Sequence, residues 1–181
     1  MFAGRYTTHF VPALTLTIDH VVDLDCAPGY RCRGDIDTNA PSWLGFEFGN
    51  VHGSEIDIIR LDKVYNPKSP KKLIDPPSDI TAWVKALPGT AVLQAPQAVL
   101  VGGIDATEFD VKTAGDLQFG PIPEIPDGQA GLGPSGLRVV FVTVHGHLIL
   151  ISEWLGPDNA VRDGAAALEG LQPFVKSIAW L

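Results

Sequence analysis

By type and spacing, two histidines and a set of acids are the residues best suited to chemistry. In the run VVFVTVHGHLILISEW, residues 139–154, His145 and His147 lie two apart. On one strand they would share a face, as two metal ligands do. His145-Gly146 also suits a two-residue hairpin turn. The commonest such turn needs positive φ at both central residues, which Gly adopts freely and His tolerates better than most. Val144 then faces His147, Val142 faces Ile149 and Val140 faces Ile151, with Thr143–Leu148 and Phe141–Leu150 on the other face. The hairpin separates the two histidines and explains the run without a metal. A metal reading would have to draw on His9, His20 or His52.

The acids Asp23, Asp25, Asp35 and Asp37, with Asn39, surround two cysteines, Cys26 and Cys32. Calcium takes several carboxylate oxygens, so these four are the weak metal candidates, against exposed turn acids as the alternative. The segment DIDTNAPSWLGF opens like an EF-hand loop and then departs from it. Ala40 stands where glycine is needed, and Phe46 where the bidentate glutamate belongs. Pro28-Gly29 favours a turn between the cysteines, so a short disulfide loop fits an oxidising compartment, with two free thiols as the alternative. A closed zinc site needs four ligands, and this motif offers two. Arg33–Asp35 spells RGD, a tripeptide common by chance. Neither G-x-S-x-G nor H-E-x-x-H occurs, and no local pair suggests an activated nucleophile. No catalytic residue and no cofactor is therefore assigned.

The elements that would position these residues read mostly as strands in the first half. TLTID alternates apolar and polar side chains, and WLGFEF and EIDIIRL look similar. Residues 63–77 carry four lysines among prolines and read as a solvated loop. SDITAWVKALPG is the clearest helix, with Ser78 as N-cap, a stripe of Ile80, Trp83, Val84 and Leu87, and Pro88-Gly89 as the stop. Two or three strands follow, the last with Thr107, Phe109 and Val111 on one face and Glu108, Asp110 and Lys112 on the other. Residues 114–136 form a long Pro/Gly-rich connection whose apolar side chains suggest that it lies on the body over a cavity. Trp83, Phe109, Phe119, Ile122 and Ile125 are the candidate ligand-binding or lid residues, with Trp83 better suited to plain core. Helical spacing from Asp158 and a short SIAW strand close the chain.

The chain has 181 residues, 45% of them hydrophobic and 19% charged, with a net charge of −8. That describes one globular domain over residues 1–181, without the basic footprint of a nucleic-acid binder. No apolar run reaches the length of a membrane span, and no leader pattern opens the sequence.

The run DITAWVKALPGTAVLQAPQAVLVGGIDATEFDV, residues 79–111, resembles a domain of secreted or membrane-anchored actinobacterial proteins. Its marks are a short helix with a Trp, a Pro-Gly stop, a V-x-V-G-G turn and a strand ending in Asp-Val. GRYTTHFVPALTLTI, VVFVTVHGHLILI and FVKSIAW match the opening strands, the late hairpin and the close of that domain. The resemblance is to LpqN-type lipoproteins of the PsbP-like group. It implies an α+β fold, a single twisted antiparallel sheet flanked by a few short helices. It also implies an extracytoplasmic setting, with a cytoplasmic one as the alternative, and it brings no catalytic residues. In the resembling domains a Gly-Trp often follows the TLTI strand, where this chain has DHVVDLDCAPGYRC.

The expected function is a non-catalytic accessory module that binds a small apolar or lipid-like ligand or a partner protein. A small hydrolase or isomerase, with acids and histidines assembled by the fold, is the alternative.

Overall fold

The computed structural model describes residues 4–18, 35–48, 54–93, 95–113, 117–124, 129–132, 136–154 and 175–181. In chain order its elements are β1 (Gly4–Thr7), β2 (Leu14–Ile18), β3 (Asp35–Asn39), β4 (Trp43–Phe48), β5 (Ser54–Leu61), β6 (Val64–Asn66) and β7 (Ser69–Ile74). Helix α1 (Ile80–Ala86) follows, then β8 (Thr90–Val92), β9 (Gln97–Val101), β10 (Ile104–Thr113), β11 (Leu117–Pro121) and β12 (Gln129–Leu132). The last three are β13 (Gly136–Val144), β14 (His147–Trp154) and β15 (Ala179–Trp180).

The hairpin β13–β14 lies at the centre of an eight-stranded sheet of order β3-β4-β5-β14-β13-β10-β8, with β9 also on β10. All its pairings are antiparallel. The register is the one the sequence implies, Val144 opposite His147, Val142 opposite Ile149 and Val140 opposite Ile151. His145 has φ 50° and Gly146 φ 85°, so the turn is the one with positive φ at both central residues.

Side chains alternate across these strands, so one sheet carries two cores. On the first face Val140, Val142, Val144, Ile149 and Ile151 join Leu44, Phe46, Ile56 and Ile58. The cover includes a three-stranded sheet, β1-β2-β15, bringing Leu14 and Leu16, with Phe10, Val175 and Ile178 beside it. On the second face Phe141, Leu148, Leu150 and Phe109 meet α1 through Trp83, Val84 and Leu87. The expected antiparallel sheet with a helical layer is present. Its first face is covered by a smaller sheet as well as by a helical turn, of which Val175 and Lys176 are described and Val175 is buried. A short apolar strand pair roofs a sheet as well as a helix does, and the alternation in TLTI already presents Leu14 and Leu16 on one face.

Three local expectations are corrected. The N-cap of α1 is Asp79, not Ser78: its Oδ1 accepts from the Ala82 backbone N–H at 2.8 Å. Residues 63–77 form the ribbon β6–β7 instead of an open loop, an antiparallel pair with an irregular step at Tyr65/Asn66. Residues 114–136 carry a second ribbon, β11–β12. Phe119 in β11 and Ile122 just after it are buried, so this segment does lie on the body. Gly120 is required for that approach, because a Cβ there would collide with the Lys63 carbonyl oxygen. The helix stops as expected: Leu87, the residue before Pro88, is extended (φ −65°, ψ 133°), and Gly89 follows with φ 73°.

Candidate cleft at the β9–β10 hairpin

The hairpin β9–β10 turns through Gly102 and Gly103, with φ 59° and 80°. Trp180 packs over this turn, its ring atom Cδ1 lying 2.5 Å from where a Gly102 Cβ would stand. Its Nε1 donates to the Val101 carbonyl oxygen at 3.0 Å. The C-terminal strand thus pins the hairpin, and Gly102 is needed both for the positive φ and for the ring.

Each face of this hairpin carries an open cleft. The first, of about 640 Å³, has an apolar floor of Val99, Val101, Val140 and Val175, the buried Glu108 along its wall and a rim that includes Asp105 and Lys176. The second, of about 520 Å³, lies between the start of α1 and the second sheet face. It is more polar, with Ser78, Asp79, Thr81, Thr107 and Thr143 along it. Ala98 and Asp105 border both clefts, which places the edge of the sheet between them.

Beside the first cleft lies a buried ionic group. Asp110 and Arg138 are direct cross-strand partners in β10 and β13. The Arg138 guanidinium donates to both Asp110 carboxylate oxygens, Nε at 2.9 Å and Nη2 at 3.3 Å. Glu108 Oε1 stands 3.4 Å from Arg138 Nε. Glu108 and Arg138 are 8% and 7% exposed, so this pairing holds charge inside the fold. The sequence placed Glu108 and Asp110 on one face but missed Arg138, because nothing local reveals which strand β10 pairs with.

The structure gathers four of the five candidate ligand residues elsewhere. Trp83, Phe109, Phe119 and Ile122 are buried together in the second core. Phe141 sits among the three aromatics, with ring centroids 5.9 Å from Trp83, 6.0 Å from Phe109 and 5.7 Å from Phe119. None of the four borders either cleft. Ile125 lies outside the described residues. Trp83 also donates through Nε1 to the Tyr65 carbonyl at 3.0 Å, which ties α1 to β6.

The candidate metal acids are not brought together in any described group. Asp23 and Asp25 lie outside the described residues, as do Cys26 and Cys32. Asp35 is opposite Glu47 at the sheet edge, and Asp37 falls at an irregular step between Ile36 and Thr38. Among the described residues there is no group of three or more His, Cys, Asp or Glu able to hold a metal ion. His145 is exposed in its turn, and His147 Nδ1 lies 3.7 Å from Asp62 Oδ1. That carboxylate is already held by Arg60, through Nε and Nη2 at 3.0 Å each. Arg60 also donates to the Val11 carbonyl at 3.0 Å, so this cluster fastens the Val11 loop to β5. The buried Ser42 hydroxyl donates to the Glu124 carboxylate, another contact the sequence does not announce.

No helix among the described residues is long and apolar enough to cross a membrane. No family model and no curated protein matches the chain. Among solved structures the chain is similar to a crystal structure of a protein of unknown function from Pseudomonas aeruginosa. That match has 13% identity and a TM-score of 0.37, covering 94% of this chain and 95% of the other. The likeness is too slight to carry an argument about function.

Proposed function

We propose that this protein is a non-catalytic binding module that takes a small apolar ligand in the cleft on the first face of β9–β10. The observation that carries the reading is the floor of Val99, Val101, Val140 and Val175 beneath a sparse polar rim. Small-molecule sites are typically apolar concavities of about 300–1,000 Å³ with a few placed polar groups. The cleft has that volume and that division of labour. Asp105 and Lys176 at the rim would orient a polar end while the valines accept the apolar body. The PsbP-like arrangement and the extracytoplasmic setting belong to the same proposal and rest on the resemblance carried by residues 79–111.

The hydrolase or isomerase reading draws less support. The one buried charged group described at the cleft, Glu108 with Arg138 and Asp110, is engaged in cross-strand pairing. His145 and His147 lie at the β13–β14 turn and border neither cleft.

A titration with N-phenyl-1-naphthylamine, a neutral apolar dye, tests the proposal. Saturable fluorescence enhancement at one site per chain is expected. Val99→Trp, which fills the cleft from a half-buried position, is expected to abolish it while leaving the thermal midpoint near the parent value. No saturable signal, or a signal unchanged in Val99→Trp, would sink the reading.

A further inference from the structure

We propose that the outer edge of β9 is a dimerisation edge, which takes β9 of a second copy of this chain as an antiparallel neighbour. This goes beyond the ligand reading, since it engages the outward backbone groups of β9, whereas the cleft uses side chains on one face of the same strand.

The sequence provides the first observation. From Pro88 to Ile104 there is no charged residue, and this stretch contains both β8 and β9. Those two strands share the outer side of β10, at its C-terminal and N-terminal halves. Among the described residues β9 pairs with β10 alone. Its Leu100 is 61% exposed, and Leu93 beyond β8 is 59% exposed. Proteins normally block such an edge with charge, proline or a covering element. The ribbon strand β7 is blocked in that way, by Pro70, Lys71 and Lys72, all exposed. On β9 no such device is present among the described residues.

The hairpin geometry says which groups face out. In a two-residue hairpin the residues flanking the turn, here Val101 and Ile104, exchange both backbone hydrogen bonds. Bonding then alternates along the strand, so Val99 also faces β10. The N–H and C=O groups of Ala98 and Leu100 are aimed away from the sheet. Pro96, at the next outward position, has no N–H and ends the ladder.

A second copy suits this edge by charge and by register. Each chain carries a net charge of −8, so two copies approach at least cost through an uncharged surface. A two-fold axis at Val99 puts Ala98 opposite Leu100 of the second copy, and the same pair recurs by symmetry. Both pairs are of the hydrogen-bonded kind, giving four backbone bonds with a small side chain against a large one and no like charges opposed. So short a ladder makes a reversible dimer rather than an obligate one.

Sedimentation equilibrium over a concentration series, with hydrogen exchange at the same concentrations, tests this. The parent mass is expected to move from one chain to two, as protection appears at the Ala98 and Leu100 amides. Ala98→Pro is tolerated where an edge N–H faces solvent, and it removes two of the four bonds. It is expected to weaken association about tenfold or more. Leu100→Lys changes an exposed side chain, sets a charge into the seam, and is expected to shift association the same way. It carries the test alone if Ala98→Pro lowers the thermal midpoint. A one-chain mass throughout overturns the proposal and points the edge to a foreign strand. A dimer that both variants leave unchanged overturns it too.

Discussion

Arg138 shows how a single residue can resemble a catalytic group and act as a fastener. It reaches two carboxylates from the middle of the sheet, both within hydrogen-bond or ion-pair distance. Buried ion pairs add little net stability over an apolar substitute, because desolvation offsets the Coulomb gain. Removing one partner is another matter, since it leaves charge without compensation. Arg138→Ala is therefore expected to destabilise the fold by about 3–5 kcal/mol. Urea titration checks this, and a loss under about 1 kcal/mol would mean that the carboxylates are hydrated in place. The alternation of Phe109 against Glu108 and Asp110 was legible from period two alone. Arg138 as their partner was not, because the pairing of β10 with β13 spans about thirty residues and rests on long-range packing. The histidines teach the converse. Val-His-Gly-His is a local pattern, and local turn chemistry determined its conformation.

Elements were readable where their signals are local and ambiguous where prolines and glycines dominate. Helix α1 was legible from its stripe and its Pro-Gly stop, yet its start was misplaced by one residue. Ser and Asp both cap well, and only geometry distinguishes Ser78 from Asp79. The difference is measurable. Asp79→Ala is expected to cost about 1 kcal/mol by thermal or urea unfolding, and Ser78→Ala close to nothing. The reverse order would return the cap to Ser78. The ribbons β6–β7 and β11–β12 escaped the sequence reading because Pro67, Pro70, Gly120 and Pro121 mark loops more often than strands. β11 is ordered by its neighbours: Phe119 inserts among Trp83 and Phe141, and Gly120 admits the backbone of β6. These contacts also bear on Trp83, Phe109, Phe119 and Ile122, four of the candidate ligand-binding or lid residues. Their apolar character was legible, but whether they close over a cavity or fill one depends on Phe141, which the sequence assigns to a hairpin far along the chain.

At the scale of the molecule, the central sheet separates two cores that share the same strands. Val140, Val142 and Ile149 serve the first core, while Val139, Phe141, Leu148 and Leu150 serve the second. That both faces of β13–β14 are covered was legible from the unbroken apolar run. That a three-stranded sheet supplies cover for the first face was not, because β1, β2 and β15 come from opposite ends of the chain. Sharing has a thermodynamic consequence. Losing the packing of either core uncovers one face of β13–β14, because their described apolar residues alternate between the two cores. Unfolding is therefore expected to be one cooperative transition rather than two. Trp83 reports on the second core, and Trp180, packed against the first, reports on the other. In variants that keep only one of these tryptophans, the others replaced by Phe, the two fluorescence transitions should share a midpoint in urea once each is referred to its variant's stability by a common circular-dichroism signal. An earlier transition at Trp180 alone would show that the β1-β2-β15 layer detaches as its own unit. The hairpin β9–β10, pinned at its turn by that same tryptophan, would then lose its anchor before the sheet melts, and the cleft beside it would open with the layer.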